Sequence, residues 1–218
     1  AARSNRVGIL DWDHNWDQPE SPTTVLSDAK AAAFIDGVAW HCYAGDVAAQ
    51  SLVRDRFPSK QVWFTECASG NWSGDWSKSF NWTIRNLIIG STRNWAKGVV
   101  MWNLALDEKH GPHLGGCGNC RGLVTINSQS GEVTREPEYY AFAHASKFVR
   151  AGSVRVASMS TDKAIESVAF QKGRNGPVTL IAVNGGEAER KLSFVIGRKT
   201  YSATLSAGAV ATFRVPAS

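Results

Sequence analysis

Four times between residues 7 and 149 a short apolar run gives way to a helix-like stretch, and each run ends in side chains able to do chemistry. Strands are expected at 7–11, 38–43, 61–66 and 98–104. Helices are expected at 24–36 with Gly37 as a stop, at 46–56 with Asp46 as cap, at 78–96, and at 136–149 with Pro137 in the first turn. Such alternation is the pattern of parallel βα units. No glycine-rich phosphate-binding motif follows the first strand, which argues against a dinucleotide fold. Past the strand ends lie His14 and Trp16, His41 and Tyr43, Glu66, then Trp102 and Asn103. In a (β/α)8 barrel these positions converge on one mouth. Four units make half of such a barrel, and an open half exposes the edges of both terminal strands.

Glu66 closes the run Gln61-Val62-Trp63-Phe64-Thr65-Glu66. A carboxylate at the end of so apolar a strand costs several kcal/mol of desolvation unless partners or solvent satisfy it. It therefore reads either as a functional carboxylate or as one salt-bridged at a sheet edge.

After residue 150 the texture changes. Short, partly alternating runs at 153–156, 167–170, 178–183, 192–196 and 210–215 are separated by turns at Asn175-Gly176 and Asn184-Gly185-Gly186, as in an antiparallel β-sandwich. A hairpin is expected at 123–134, turning at 128–131. The fold class is thus α/β followed by all-β, divided into 1–149 and 150–218. All nine tryptophans fall in the first part. Residues 1–149 carry 14 basic and 15 acidic side chains and residues 150–218 carry 10 and 4, so the net +5 belongs to the C-terminal part. Those cations are scattered singly, with no basic stripe or nucleic-acid motif, so no nucleic-acid partner is expected.

No stretch is long and apolar enough to span a bilayer, and no signal peptide opens the chain. It starts at Ala1 without Met, as a processed protein or a piece of one does. Cys117 and Cys120 form a tight pair in a glycine-rich loop, with His110 and His113 upstream. A loop disulfide is favoured over zinc, because structural zinc draws its ligand pairs from two separated elements. An oxidising, extracellular setting follows. Cys42 and Cys67 are expected to pack as free, small hydrophobes.

Taken in order, several segments resemble glycoside hydrolase family 30: Asp13-His14-Asn15-Trp16, Trp40-His41-Cys42-Tyr43, Phe64-Thr65-Glu66-Cys67, Met101-Trp102-Asn103-Leu104 and Tyr139-Tyr140-Ala141-Phe142. The resemblance implies the C-terminal half of a (β/α)8 TIM barrel, strands 5 to 8, followed by a β-sandwich. It implies a retaining β-glycosidase with Glu66 as nucleophile and no cofactor or metal. The family's acid/base lies on a strand before Ala1, so the fragment alone is expected to be inactive, with the absent N-terminal half of the barrel a candidate partner. Asp11 and Asp13 sit on a polar loop and are poor substitutes for that acid. The resemblance further implies that Tyr43 orients Glu66, that Trp102 forms a sugar platform, and that His41, Asn103, His14, Trp16 and Trp72 bind a β-linked glucoside or glucan. The alternative is a non-catalytic carbohydrate-binding or scaffold fragment.

Overall fold

The computed structural model describes residues 7–216. In chain order the elements begin with β1 (Leu10–Asn15), α1 (Glu20–Ser27), α2 (Ala29–Ala32), β2 (Gly37–His41), α3 (Ala49–Arg56) and β3 (Gln61–Glu66). There follow β4 (Ser69–Gly70), α4 (Trp76–Trp82), a π-helical segment (Thr83–Ser91), β5 (Ala96–Val99), β6 (Ala105–Asp107), β7 (Cys120–Arg121), β8 (Val124–Ile126), β9 (Val133–Arg135) and α5 (Pro137–Ser146). The last strands are β10 (Ser153–Val156), β11 (Ile165–Lys172), β12 (Val178–Asn184), β13 (Arg190–Ile196), β14 (Lys199–Leu205) and β15 (Val210–Val215).

Two compact units result. The first comprises residues 7–67 and 94–102, the second 68–93 and 103–216.

In the first unit, β1, β2, β3 and β5 form a parallel sheet in that order. All of β2 is buried, as expected of a parallel strand covered on both faces. The helix expected at 24–36 instead starts at Glu20 and breaks at Asp28. The Asp28 carboxylate accepts from the amides of Lys30 and Ala31 at 2.8 and 3.0 Å, so it caps a new helix rather than continuing the old one. Gly37 is not a helix stop but the first residue of β2. A Cβ there would lie 2.5 Å from the carbonyl oxygen of Gln61 on β3, so close strand approach is what excludes a side chain. On α3, Ala49, Gln50 and Val53 face inward.

In the second unit, β10, β11, β12 and β15 form an antiparallel sheet, and β13–β14 is a separate hairpin. β14 went unanticipated because its seven residues bury little. One cluster of this unit joins Ile165, Ala182, Leu192 and Leu205, bringing the hairpin against the sheet. Another joins Val168, Ile181 and Val183 to Ile84, Ile88, Ile89 and Ala141, so α5 and the π-helical segment cover sheet residues too. That packing groups these helices with the sandwich. The single helix expected at 78–96 divides into α4 and the π-helical segment, which buries the consecutive Leu87, Ile88 and Ile89. The strand expected at 98–104 is shorter and earlier, and Ala105–Asp107 joins β8 and β9 in a small sheet of its own. Among the described residues no helix is long and apolar enough to cross a membrane.

Candidate active site

β1, β2 and β3 end side by side: Asn15 is in register with His41, and His41 with Glu66. Parallel pairing therefore brings three residues far apart in sequence to one edge of the sheet. Glu66 keeps 27% of its side chain accessible, whereas His41 keeps 10%. The Tyr43 hydroxyl donates to Glu66 Oε1 at 3.1 Å. His41 Nδ1 lies 3.8 Å from the same oxygen, beyond hydrogen-bond range, while its Nε2 is 3.1 Å from Asp13 Oδ1. The Thr65 hydroxyl also donates to Asp13 Oδ1, at 2.8 Å.

The end of β1 is irregular. Its register shifts between Trp12 and His14, and both Trp12 and Asp13 have positive φ, 77° and 50°. A bulge of this kind re-aims side chains, and a bulky residue in the left-handed region is held there only by its surroundings. Here Trp12 Nε1 donates to the Asn15 carbonyl at 2.9 Å, and Asn15 Oδ1 accepts from the Tyr43 amide at 3.1 Å. The loops after β1 and β2 then touch: Trp16 N donates to Ala44 O at 3.0 Å. At Gly45, φ is 88° and a Cβ would lie 2.3 Å from the Asp17 amide nitrogen.

Cys42 and Cys67 are bonded, with Cα atoms 5.4 Å apart. The expectation of two free cysteines is corrected. Cys42 lies between His41 and Tyr43, and Cys67 follows Glu66, so the bridge ties together the two strand ends that carry these groups. Residues just past two strand ends become neighbours only once the register of β2 on β3 is set, which no local pattern shows. Asp13, Asn15 and Thr65 were missed as partners because nothing local announces the bulge.

Other expected residues divide. Trp102 is 56% exposed and its amide donates to the Cys67 carbonyl at 3.0 Å, beside the end of β3. His14 meets the His41 ring edge-on at 6.2 Å. Trp16 does not line an accessible surface. It is 4% exposed, packs on Phe64, and donates from Nε1 to Gln50 Oε1 at 3.1 Å. A large ring with its one donor satisfied inside belongs to the core.

Trp72 and Asn103 belong to the second unit. There Trp72 lies over Gly70 with half its surface exposed, and the Asn103 carbonyl accepts from the Leu123 amide at 3.2 Å. Cys117 and Cys120 are bonded, and His110 pairs with the Asn71 amide at 3.2 Å. Among the described residues no group of three or more His, Cys, Asp or Glu is arranged to hold a metal ion.

The model of the glycosyl hydrolase family 30 TIM-barrel domain matches residues 1–149, and that of the family 30 beta sandwich domain matches 152–213. An endo-1,6-beta-D-glucanase of Neurospora crassa is 34% identical over 186 residues, which cover 81% of this chain and 38% of the relative. The endo-1,6-beta-D-glucanase BGN16.3 of Trichoderma harzianum is 34% identical over 220 residues, covering 96% and 42%. The solved structure of the endo-beta1,6-glucanase BT3312 aligns with a TM-score of 0.88 at 30% identity, over 97% of this chain and 49% of that one. The chain spans less than half the length of these relatives.

Proposed function

The chain belongs to glycosyl hydrolase family 30, and on that premise we propose that it is the C-terminal half of a retaining β-glycosidase, with Glu66 as the nucleophile. One observation carries the reading: Glu66 ends a parallel strand, partly open to solvent, with the Tyr43 hydroxyl on one carboxylate oxygen. Tyr43 holds the carboxylate in one orientation. Glu66 attacks the anomeric carbon as the bond to the leaving oxygen breaks, giving a covalent glycosyl-enzyme. A second carboxyl group, roughly 5–5.5 Å away, protonates that oxygen and then takes a proton from the water that releases the sugar.

We place that second carboxyl on the N-terminal part of the barrel, because the Asp13 carboxylate is engaged by His41 and Thr65. The half-barrel reading also draws on β1 and β5, each paired on one side only among the described residues. Asp11 Oδ2 and Trp40 Nε1 support it as well, being buried with no hydrogen-bond partner among those residues. The domain division stays near residue 150, with the β-sandwich following. The proposed substrate is a β-linked glucan, and β-1,6-glucan fits the names of the relatives that share a third of the sequence. The exposed Trp102 offers a ring face for a sugar. Two disulfides favour an extracellular location.

The test is Glu66→Gln in the full-length enzyme, assayed on an aryl β-glucoside and on β-1,6-glucan. Loss of turnover by at least about a thousandfold is expected, as for removal of a covalent nucleophile. Mass mapping after a fluorinated glycoside inactivator should label Glu66. A label on another residue, or turnover that survives the substitution, ends the assignment.

A further inference from the structure

His41 can carry its proton on either ring nitrogen, and the surroundings of the two differ. Nε2 faces Asp13 Oδ1 at 3.1 Å, and Nδ1 faces Glu66 Oε1 at 3.8 Å. An ionised carboxylate only accepts hydrogen bonds. The Asp13 oxygen that meets His41 also receives the Thr65 hydroxyl, so polar groups from β2 and β3 converge on one atom. Asp13 is aimed there by the bulge. Trp12 pairs with Ala39 and His14 with Trp40, leaving Asp13 as the extra residue with no register partner.

We propose that Asp13 is a positioning residue: it holds the Nε2–H of His41 and thereby leaves the Nδ1 lone pair facing the space beside Glu66. The inference rests on Glu66 being the nucleophile. With Nδ1 unprotonated, His41 does not donate to Glu66, whose Oε1 takes its hydrogen bond from Tyr43. Nδ1 is then an acceptor for a hydroxyl of the sugar whose anomeric carbon Glu66 attacks. His41 is the group that touches substrate, and Asp13 acts through it. The same strand end also steadies Tyr43, through Asn15 Oδ1 and the Tyr43 amide. The tip of β1 thus supports both side chains that flank the carboxylate.

The backbone allows a clean variant, because asparagine tolerates the left-handed conformation that Asp13 occupies. Asp13→Asn keeps the shape and removes the charge, and its amide can either accept from Nε2 or donate to it. Nitrogen-15 NMR of histidine-labelled chain reads the tautomer directly. The wild type is expected to show His41 protonated on Nε2, and Asp13→Asn to show an increased Nδ1–H population. In the full-length enzyme, the rate of covalent labelling by a fluorinated aryl glucoside should fall roughly 10- to 100-fold in Asp13→Asn, the cost of misplacing a group against the reacting sugar. Thr65→Val, which removes only the second donor, should give a smaller loss in the same direction.

A wild-type His41 protonated on Nδ1 overturns the proposal. So does an Asp13→Asn protein with unchanged tautomer and labelling rate, or one whose labelling falls only in proportion to its folded fraction. These outcomes are separable from failure of the functional reading, which shows as labelling that persists in Glu66→Gln.

Discussion

At the C-terminal edge of the parallel sheet, Asp13, His41, Tyr43 and Glu66 bond to or face one another, whereas the buried Asn184 at the end of β12 turns to backbone. Its amide nitrogen donates to the carbonyls of Ala188, Leu205 and Ser206 at 2.8–3.1 Å, closing the turns beside the antiparallel sheet. The second unit's most buried carboxylate is likewise fully engaged. Glu138 takes Arg121 Nε and a terminal guanidinium nitrogen at 3.2 and 2.8 Å, and the Ser79 hydroxyl as well. Parallel strands all finish at one edge, so side chains from three of them can meet and still face a ligand. Antiparallel strands finish at alternating edges, and a polar group there meets a turn. Substitutions at these polar groups of the second unit should therefore cost stability, and those at the edge of the parallel sheet should cost chemistry.

The largest stability effect expected is for Arg121→Ala, which strands the Glu138 carboxylate with 1% of its side chain exposed. A loss of about 3–5 kcal/mol is expected by denaturant titration, because an uncompensated buried charge remains. The pair also sets a pH dependence. Burial, the largest influence, pushes the Glu138 carboxyl up from its ordinary 4.5, but the hydrogen bonds from Arg121 and Ser79, a backbone hydrogen bond and the charge of Arg121 together outweigh it and the net shift is downward. A carboxyl depressed in the folded state stabilises above its unfolded value and loses that contribution as pH falls through the folded one. Wild-type stability should thus decline below about pH 4.5 more steeply than that of Glu138→Gln. Equal slopes would remove Glu138 as a source of acid sensitivity.

Replacing Cys42 and Cys67 together by Ser opens a bridge between residues 25 apart in sequence. Chain-entropy reasoning gives a cost of about 3 kcal/mol. Because this bridge flanks His41, Tyr43 and Glu66, labelling by the glycoside inactivator should slow even under conditions where the variant is fully folded. The Cys117–Cys120 bridge closes a loop of only three residues, so by the same reasoning its removal should cost less stability. If both double variants behave alike, the contrast between the two units weakens.

The smallest effect expected is for Asn184→Ala, which leaves three carbonyls without their shared donor. A loss of roughly 2 kcal/mol is expected in thermal or denaturant unfolding, with no change in labelling rate. A slowed label would mean that the sandwich influences the chemistry.

Much of this was legible in the sequence because it rests on local patterns. Residues 61–66 read as a strand and form one, α5 has Pro137 in its first turn as expected, and the runs after 150 form antiparallel strands. The misses share a cause. Asp28 interrupts a helix because its carboxylate found two amides, and Trp16 turned inward because Gln50 offered its nitrogen a partner. In each, the outcome depended on a competing partner that a periodicity argument does not weigh.

By itself the sequence determined that strands and helices alternate before a β-rich part, and that a carboxylate, a histidine and a tyrosine stand at strand ends. Those are properties of short segments, set by side-chain periodicity and turn chemistry. The tertiary structure alone decided that Cys42 meets Cys67, that β1 bulges at Asp13, and that Asp13 reaches His41 and Thr65. Register between parallel strands is fixed by packing among residues tens of positions apart, and a shift of one residue would send each of these side chains to the opposite face.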